Sequence, residues 1–143
     1  MDWLTTYIGK PWQAVPDPPN SYTCGELVRA VYRNRLGIDS PVILANALDA
    51  RSCIRAMRPE RYGLRPLLAD ERPQEYDVVF LMRASMQDHV GIAVQTMDGL
   101  MVLHCQQCVG VTLDSVAELH GIGFRRMAWY RHTNINGAVS CPA

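Results

Sequence analysis

The stretch Tyr22-Thr23-Cys24-Gly25-Glu26-Leu27-Val28 decides how the rest of the chain is read. Thr23 and Glu26 have the S/T-x-x-E spacing of a capping box, in which the threonine hydroxyl accepts from a backbone N–H one turn on and the glutamate reaches back to the cap. That spacing predicts a helix whose first residue is Cys24, running to Leu36 and stopped by Gly37. Leu27, Val28, Val31 and Tyr32 fall on one side of it, with Arg29, Arg33 and Asn34 on the other. Cys24 precedes Leu27 and Val28 by three and four residues and so leaves the core-facing side of the first turn. A thiol there feels unpaired N–H groups and the positive end of the helix dipole, both of which favour thiolate. A free cysteine on an apolar helix face is more often a small buried hydrophobe. A nucleophile therefore needs a base, and the base has to come from elsewhere in the chain.

Toward the N-terminus, Asp2 to Ile8 suits a short helix with Asp2 as cap and Leu4, Tyr7 and Ile8 inward, ended by Gly9-Lys10-Pro11. Pro11 to Asn20 holds four prolines and no hydrophobic period, which predicts an ordered loop delivering the chain to Cys24. Beyond Gly37, Ser40-Pro41 breaks the chain, and Ala45 to Met57 reads as a third helix with Leu48, Cys53 and Met57 inward. Arg58 to Glu75 is a loop rich in proline, arginine and acidic residues.

From there the period changes from helix to strand. Tyr76 to Met82 and His89 to Gln95 suit buried strands; Leu100 to Cys105 and Val109 to Leu113 suit two more. A short helical piece around Ser115 to Leu119 and a last strand from Phe124 to Tyr130 follow. Helices first and antiparallel strands second predict an α+β fold, a single domain over 1–143, in which the early helices pack on a small sheet.

Alternation in the strand after Asp88 puts His89, Gly91 and Ala93 on one face and Val90, Ile92 and Val94 on the other. The His89 face is small and leaves room for a helix start to approach closely. Thr96-Met97-Asp98-Gly99 is a turn signal, so the flanking strands form a hairpin. If those four residues are the loop, Gln95 pairs with Leu100 and Gly91 with His104, which sets His104 diagonal to His89, roughly 7–8 Å away at the backbone. A two-residue Asp98-Gly99 loop pairs His104 with Ala93 instead, roughly 13 Å along the strand from His89. With the longer loop, Cys24, His89 and His104 are the parts of a Cys–His nucleophilic site: thiol, base and orienting group.

Composition narrows the partners. With 14 basic and 14 acidic residues the formal charge is zero, which leaves no electrostatic footprint for nucleic acid or an anionic membrane surface. No basic-then-apolar leader opens the chain, and no stretch approaches the ~18 apolar residues of a membrane span. The expectation is a protein made in a bacterial cytoplasm without a general secretion signal. Five cysteines cannot all pair, and their irregular spacing reads as reduced thiols. Cys105-Gln106-Gln107-Cys108 is a C-x-x-C without the second close pair a structural zinc needs, so packing or turn thiols are expected, with no metal and no cofactor. His120 and His132 share no face with Cys24 and are expected at the surface, as are the arginine set Arg29, Arg33, Arg35 and the pair Arg125-Arg126.

Gly9-Lys10-Pro11-Trp12, the stretch from Tyr22 to Tyr32, Leu36-Gly37-Ile38, His89-Val90-Gly91-Ile92-Ala93-Val94 and Leu103-His104 together resemble the NlpC/P60 cysteine peptidases, especially the versions carried by tailed phages. The resemblance spans about Leu4 to Tyr130. It implies a papain-like NlpC/P60 fold, with Cys24 as nucleophile, His89 as general base and His104 as orienting residue. It further implies cleavage of peptide bonds in the stem peptides of peptidoglycan, often next to D-glutamate and without metal, and phage tail proteins as carriers. Where the family has Asp, then Cys-Ser-Gly, this chain has Thr23, Cys24, Gly25 and Glu26. Where it has Tyr twelve residues before the cysteine, this chain has Trp12. Trp12 and Gly25 are the corresponding oxyanion or substrate-binding candidates, and the backbone N–H of Cys24 is a further donor. Two other readings keep the same residues: an amidase or acyltransferase like the CHAP or lecithin:retinol-acyltransferase-like groups, and a structural tail module that has kept the fold and lost activity.

Overall fold

Strand alternation gives the sheet two unlike faces, and each is covered by a different part of the chain. A computed structural model describes residues 2–41, 58–83 and 89–135. Its six strands are β1 (Leu64–Pro66), β2 (Val78–Met82), β3 (His89–Thr96), β4 (Gly99–Gln106), β5 (Gly110–Ser115) and β6 (Arg126–His132). They form one sheet in the order β1-β6-β2-β3-β4-β5, with every neighbouring pair antiparallel. The helices are α1 (Cys24–Val31) and α2 (Val116–Gly121), with 3-10 turns at Asp2–Thr6 and Pro59–Tyr62. The architecture is a mixed helix and antiparallel-sheet fold, α+β in the general sense and dominated by strands.

On the first face Val78, Phe80, Val90, Ile92, Val94, Leu103, Cys105 and Val111 pack with Leu27, Val31 and Tyr32 of the helix and with Leu4, Tyr7 and Tyr22. On the second, Val79, Leu81 and Val102 pack with Leu119 of α2 and with Phe124. Full burial of each such aliphatic or aromatic side chain contributes about 1.5–3 kcal/mol. The early helix lies on the branched face because Val, Ile and Leu offer it more apolar area than His, Gly and Ala.

Helix α1 does not end where its α-type bonding ends. A single wider turn, Tyr32–Leu36, carries it to Gly37, whose φ of 66° is the left-handed cap expected there. On the second face α2 starts with a full capping box: Ser115 Oγ accepts from Glu118 N at 3.1 Å, and Glu118 Oε1 accepts from Ser115 N at 2.8 Å.

Several expectations are corrected. The N-terminal helix is a 3-10 turn, Asp2–Thr6; Leu4 and Tyr7 are buried as expected, but Ile8 is 43% exposed. The last strand begins two residues later, at Arg126, because Phe124 is spent on the second core. Strand β1 lies inside the stretch read as a loop; at three residues, with a proline, it is too short to carry a period. His132 is buried, its ring edge-on to Tyr32 at 5.7 Å, and the bare Gly63 makes room for it, since a Cβ there would lie 2.8 Å from His132 Nε2. Arg29 is likewise only partly solvated: it donates to the Ser40 carbonyl at 3.0 Å and to Glu26 at 3.2 Å. The helix expected over Ala45 to Met57 falls outside the described residues.

At the β6 end, Arg131 is buried and donates through Nε and Nη2 to both oxygens of the buried Asp77, each at 2.8 Å, and through Nη1 to Glu71 at 2.9 Å. Arg65 clasps Glu71 through two further bonds of 2.7 and 2.9 Å, and this guanidinium contact, with the Leu68 N–H, pulls the Glu71 carboxyl down to about 2. At the opposite edge the chain start lies along β5: Gly9 N donates to Val111 O at 3.0 Å and Val111 N to Lys10 O at 2.9 Å.

Candidate active site

The β3–β4 hairpin sets the register on which the site depends. Gln95 pairs with Leu100 and Gly91 with His104, as the longer-loop reading expects. Only Met97 and Asp98 lie in the turn, because Thr96 and Gly99 still pair; Thr96 Oγ1 accepts from Asp98 N at 3.1 Å and donates to Gly99 O at 2.7 Å. Gly99 supplies the positive φ, 113°, that closes the turn.

With that register, His89 and His104 share a face, and His89 Nε2 lies 2.9 Å from His104 Nδ1. The rings meet edge to face, centroids 5.1 Å apart at 76°. Gly91 is what lets them approach: a Cβ there would lie 2.5 Å from Val102 Cγ1 and 3.2 Å from His104 Cβ. Across the next ladder His104 pairs with Thr112, and Asp114 follows two residues on along the same face. Asp114 Oδ2 sits 2.6 Å from His104 Nε2, and the Thr112 hydroxyl donates to the same oxygen at 2.8 Å. On its far side His89 is stacked on Phe124, centroids 5.1 Å apart and 12° from parallel, and the Arg83 guanidinium lies 4.2 Å over that ring.

Burial governs the protonation of both rings. His89 is 7% exposed and His104 fully buried. Desolvation pushes His89 well below its ordinary 6.5, with neighbouring His104 and Arg83 acting in the same direction. Desolvation also lowers His104, against the raising effect of the Asp114 hydrogen bond. Both rings are therefore neutral near pH 7, and His104 meets Asp114 as a neutral donor rather than as half of an ion pair.

The thiol is positioned separately. Thr23 Oγ1 accepts from Glu26 N at 3.3 Å, which starts α1 at Cys24, while the Glu26 carboxylate is engaged by Arg29. The strand-like entry is held by Tyr22 N donating to Pro11 O and Gln13 N to Tyr22 O, both 3.1 Å, with Trp12 and Tyr22 bridged in parallel. Cys24 is half-buried and packs against the first-face cluster, next to Cys105, whose thiol burial pushes up to about 12 with Cys24 adding to the rise. The room left by Gly91 is filled by Val102 and His104, and the body of α1, through Leu27 and Val31, covers the opposite face. His89 and His104 are brought together on the second face, and Cys24 stands at the start of α1, packed against the first-face cluster.

Trp12 is half-buried and bridged to Tyr22, which lies two residues before Cys24. Gly25 is buried and lines an apolar cleft with Val28, Tyr32, Phe80 and Val90. Cys105 and Cys108 are a packing thiol and a turn thiol, as expected: the first is buried and donates to Tyr22 O at 3.4 Å, the second is exposed with φ 69°. Among the described residues no group of three or more His, Cys, Asp or Glu side chains could hold a metal ion, and no helix is long and apolar enough to cross a membrane.

Asp114 is the site residue that sequence reading missed. The signal was present in Thr112-Leu113-Asp114, where alternation puts the two polar side chains on one face, but the turn at Gln107-Cys108 gave no register to carry them onto His104. No protein-family model matches the chain, and no curated protein is significantly similar to it.

Proposed function

We propose that the protein is a cysteine hydrolase of the NlpC/P60 kind, papain-like in fold, that cleaves peptide bonds in peptidoglycan stem peptides and is carried by a phage tail. The observation that supports it best is the buried chain His89–His104–Asp114, in which a neutral imidazole is held by a second imidazole that is itself held by a carboxylate. Such a chain orients a base and steadies the imidazolium formed when that base takes a proton. In this reading Cys24 gives its proton to His89 and attacks the scissile carbonyl, the Cys24 backbone N–H faces the developing oxyanion, and His89 returns the proton to the leaving amine. Water then releases the acyl group from sulfur. The reading requires the thiol to meet His89 around the start of β3, where that strand has only just begun. Digestion of purified peptidoglycan from several bacteria, with mass analysis of released peptides, tests it. The expected result is new stem-peptide ends with the wild-type chain and none with Cys24→Ala; turnover by Cys24→Ala would sink the assignment.

A second reading is a non-enzymatic tail module of the same fold, in which Cys24 is a packing thiol of the first-face cluster. Iodoacetamide capture at Cys24 near pH 6 separates the two. Fast capture marks a thiolate activated for attack, whereas capture as slow as at an ordinary thiol supports the structural module.

A further inference from the structure

Two hydrogen bonds in series constrain which nitrogen of each ring carries a proton. Asp114 Oδ2 receives the Thr112 hydroxyl at 2.8 Å and lies 2.6 Å from His104 Nε2. A carboxylate oxygen can only accept, so the proton of that second bond sits on His104 Nε2. A neutral imidazole carries one N–H, which leaves His104 Nδ1 as a bare acceptor. His104 Nδ1 is 2.9 Å from His89 Nε2, which must then be the donor. The basic lone pair of His89 is left on Nδ1.

We propose that Asp114 is a positioning residue that, through His104, fixes His89 as the Nε2–H tautomer and so makes Nδ1 its basic atom. Neither Asp114 nor His104 needs to move a proton for this; the carboxylate selects one of two otherwise similar ring states and the choice is handed on across one hydrogen bond. Thr112 aims the carboxylate. The inference deepens the hydrolase reading, in which His89 is the base, yet its central claim concerns ring states that exist with or without turnover.

The test is long-range ¹H–¹⁵N spectroscopy of the histidine rings in the full chain, at a pH above the ordinary histidine range, for wild type, Asp114→Ala and Asp114→Asn. Wild type should show both His89 and His104 as Nε2–H tautomers with bare Nδ1. Asp114→Ala should give His104 a mixture of tautomers and raise the Nδ1–H form of His89, two hydrogen bonds away from the substitution. Asp114→Asn keeps an acceptor oxygen without the charge, so it should retain the tautomers and move the His104 Hε2 resonance upfield. A wild-type ring with its proton on Nδ1, an unaltered His89 in Asp114→Ala, or an unmoved Hε2 resonance in Asp114→Asn overturns the proposal. In the hydrolase assay Asp114→Ala should lower kcat about 10–10³-fold with KM little changed. Expected tautomers in a chain that never cleaves peptidoglycan would sink the hydrolase and leave the relay, whereas cleavage with reversed tautomers would do the opposite.

Discussion

The thiol of Cys105 donates to the carbonyl of Tyr22 at 3.4 Å, tying the β4 residue next to His104 to the segment that enters α1 two residues before Cys24. The C-x-x-C thus splits into two unrelated thiols, and their substitutions should differ. Cys105→Ala removes a fully buried side chain and its hydrogen bond and should cost about 1–3 kcal/mol in denaturant unfolding. Cys108→Ser, at an exposed turn, should stay within about 0.5 kcal/mol of wild type. Equal losses at the two positions would mean that the thiols act as a unit after all.

In the proposed hydrolase His104 orients the base through a neutral bond, so Asn, with a donor and an acceptor of its own, should replace it in part. Loss of a buried, charged orienting group costs a serine protease ~10⁴ in kcat, and a neutral one should cost less. We expect about 10–10³-fold for His104→Ala, an intermediate value for His104→Asn, and the largest loss for His89→Ala. kcat/KM of the three variants on one stem peptide decides it, and wild-type activity in His104→Ala would detach this ring from catalysis.

Gly91 is a steric requirement of the histidine pair. Gly91→Ala sets a methyl 2.5 Å from Val102 Cγ1 and 3.1 Å from the Leu103 carbonyl, an overlap that rigid sheet neighbours cannot relieve cheaply. Overpacking of this sort costs about 1–3 kcal/mol. Thermal unfolding should register that loss, and the His89 and His104 ring resonances should shift together; neither changing would mean the space is free.

Breaking the buried Asp77–Arg131 pair should be among the most damaging single changes. Asp77→Ala leaves a guanidinium in the sheet without its two shortest-range acceptors and should cost about 3–5 kcal/mol. Asp77→Ala combined with Arg131→Met should recover part of the loss, because no buried charge remains. A single variant as stable as wild type in urea would refute it.

Stability should fall on mild acidification. His89, His104 and His132 all have folded-state values lowered from 6.5, foremost by burial, so the unfolded chain binds protons that the folded chain refuses. Their contribution is complete above about 6.5 and drains away as pH drops from there toward the lowered folded values. The groups facing these rings are Arg83 beside His89, Asp114 beside His104 and Tyr32 beside His132. Unfolding midpoints measured between neutral and mildly acidic pH should decline, and His89→Phe should flatten the decline; a midpoint unchanged across that range counts against it.

What the sequence made legible was local. Alternation in β3, the turn at Thr96–Gly99 and the cap at Thr23 each act over a few residues, and each led to a pairing or a helix start that the structure contains. Which face of the sheet α1 would cover depended on competition between two faces of the same strand, where the area offered by Val90, Ile92 and Val94 outweighed the space left by Gly91. Asp114 and the Arg131 network were hidden for a related reason: polar partners drawn from strands distant in sequence leave no short-range spacing. Arg131 joins residues 54 and 60 positions away.

The strip Gly9-Lys10 against Val111 has one more implication. A strand at the border of a sheet exposes unpaired amides and carbonyls that can recruit a strand from another molecule. Here Gly9 and Lys10 occupy Val111, and Gly110 admits them because a Cβ would lie 2.6 Å from the Lys10 carbonyl. Gly9 and Lys10 therefore take up the amide and carbonyl of Val111 that a strand from another molecule would otherwise pair with.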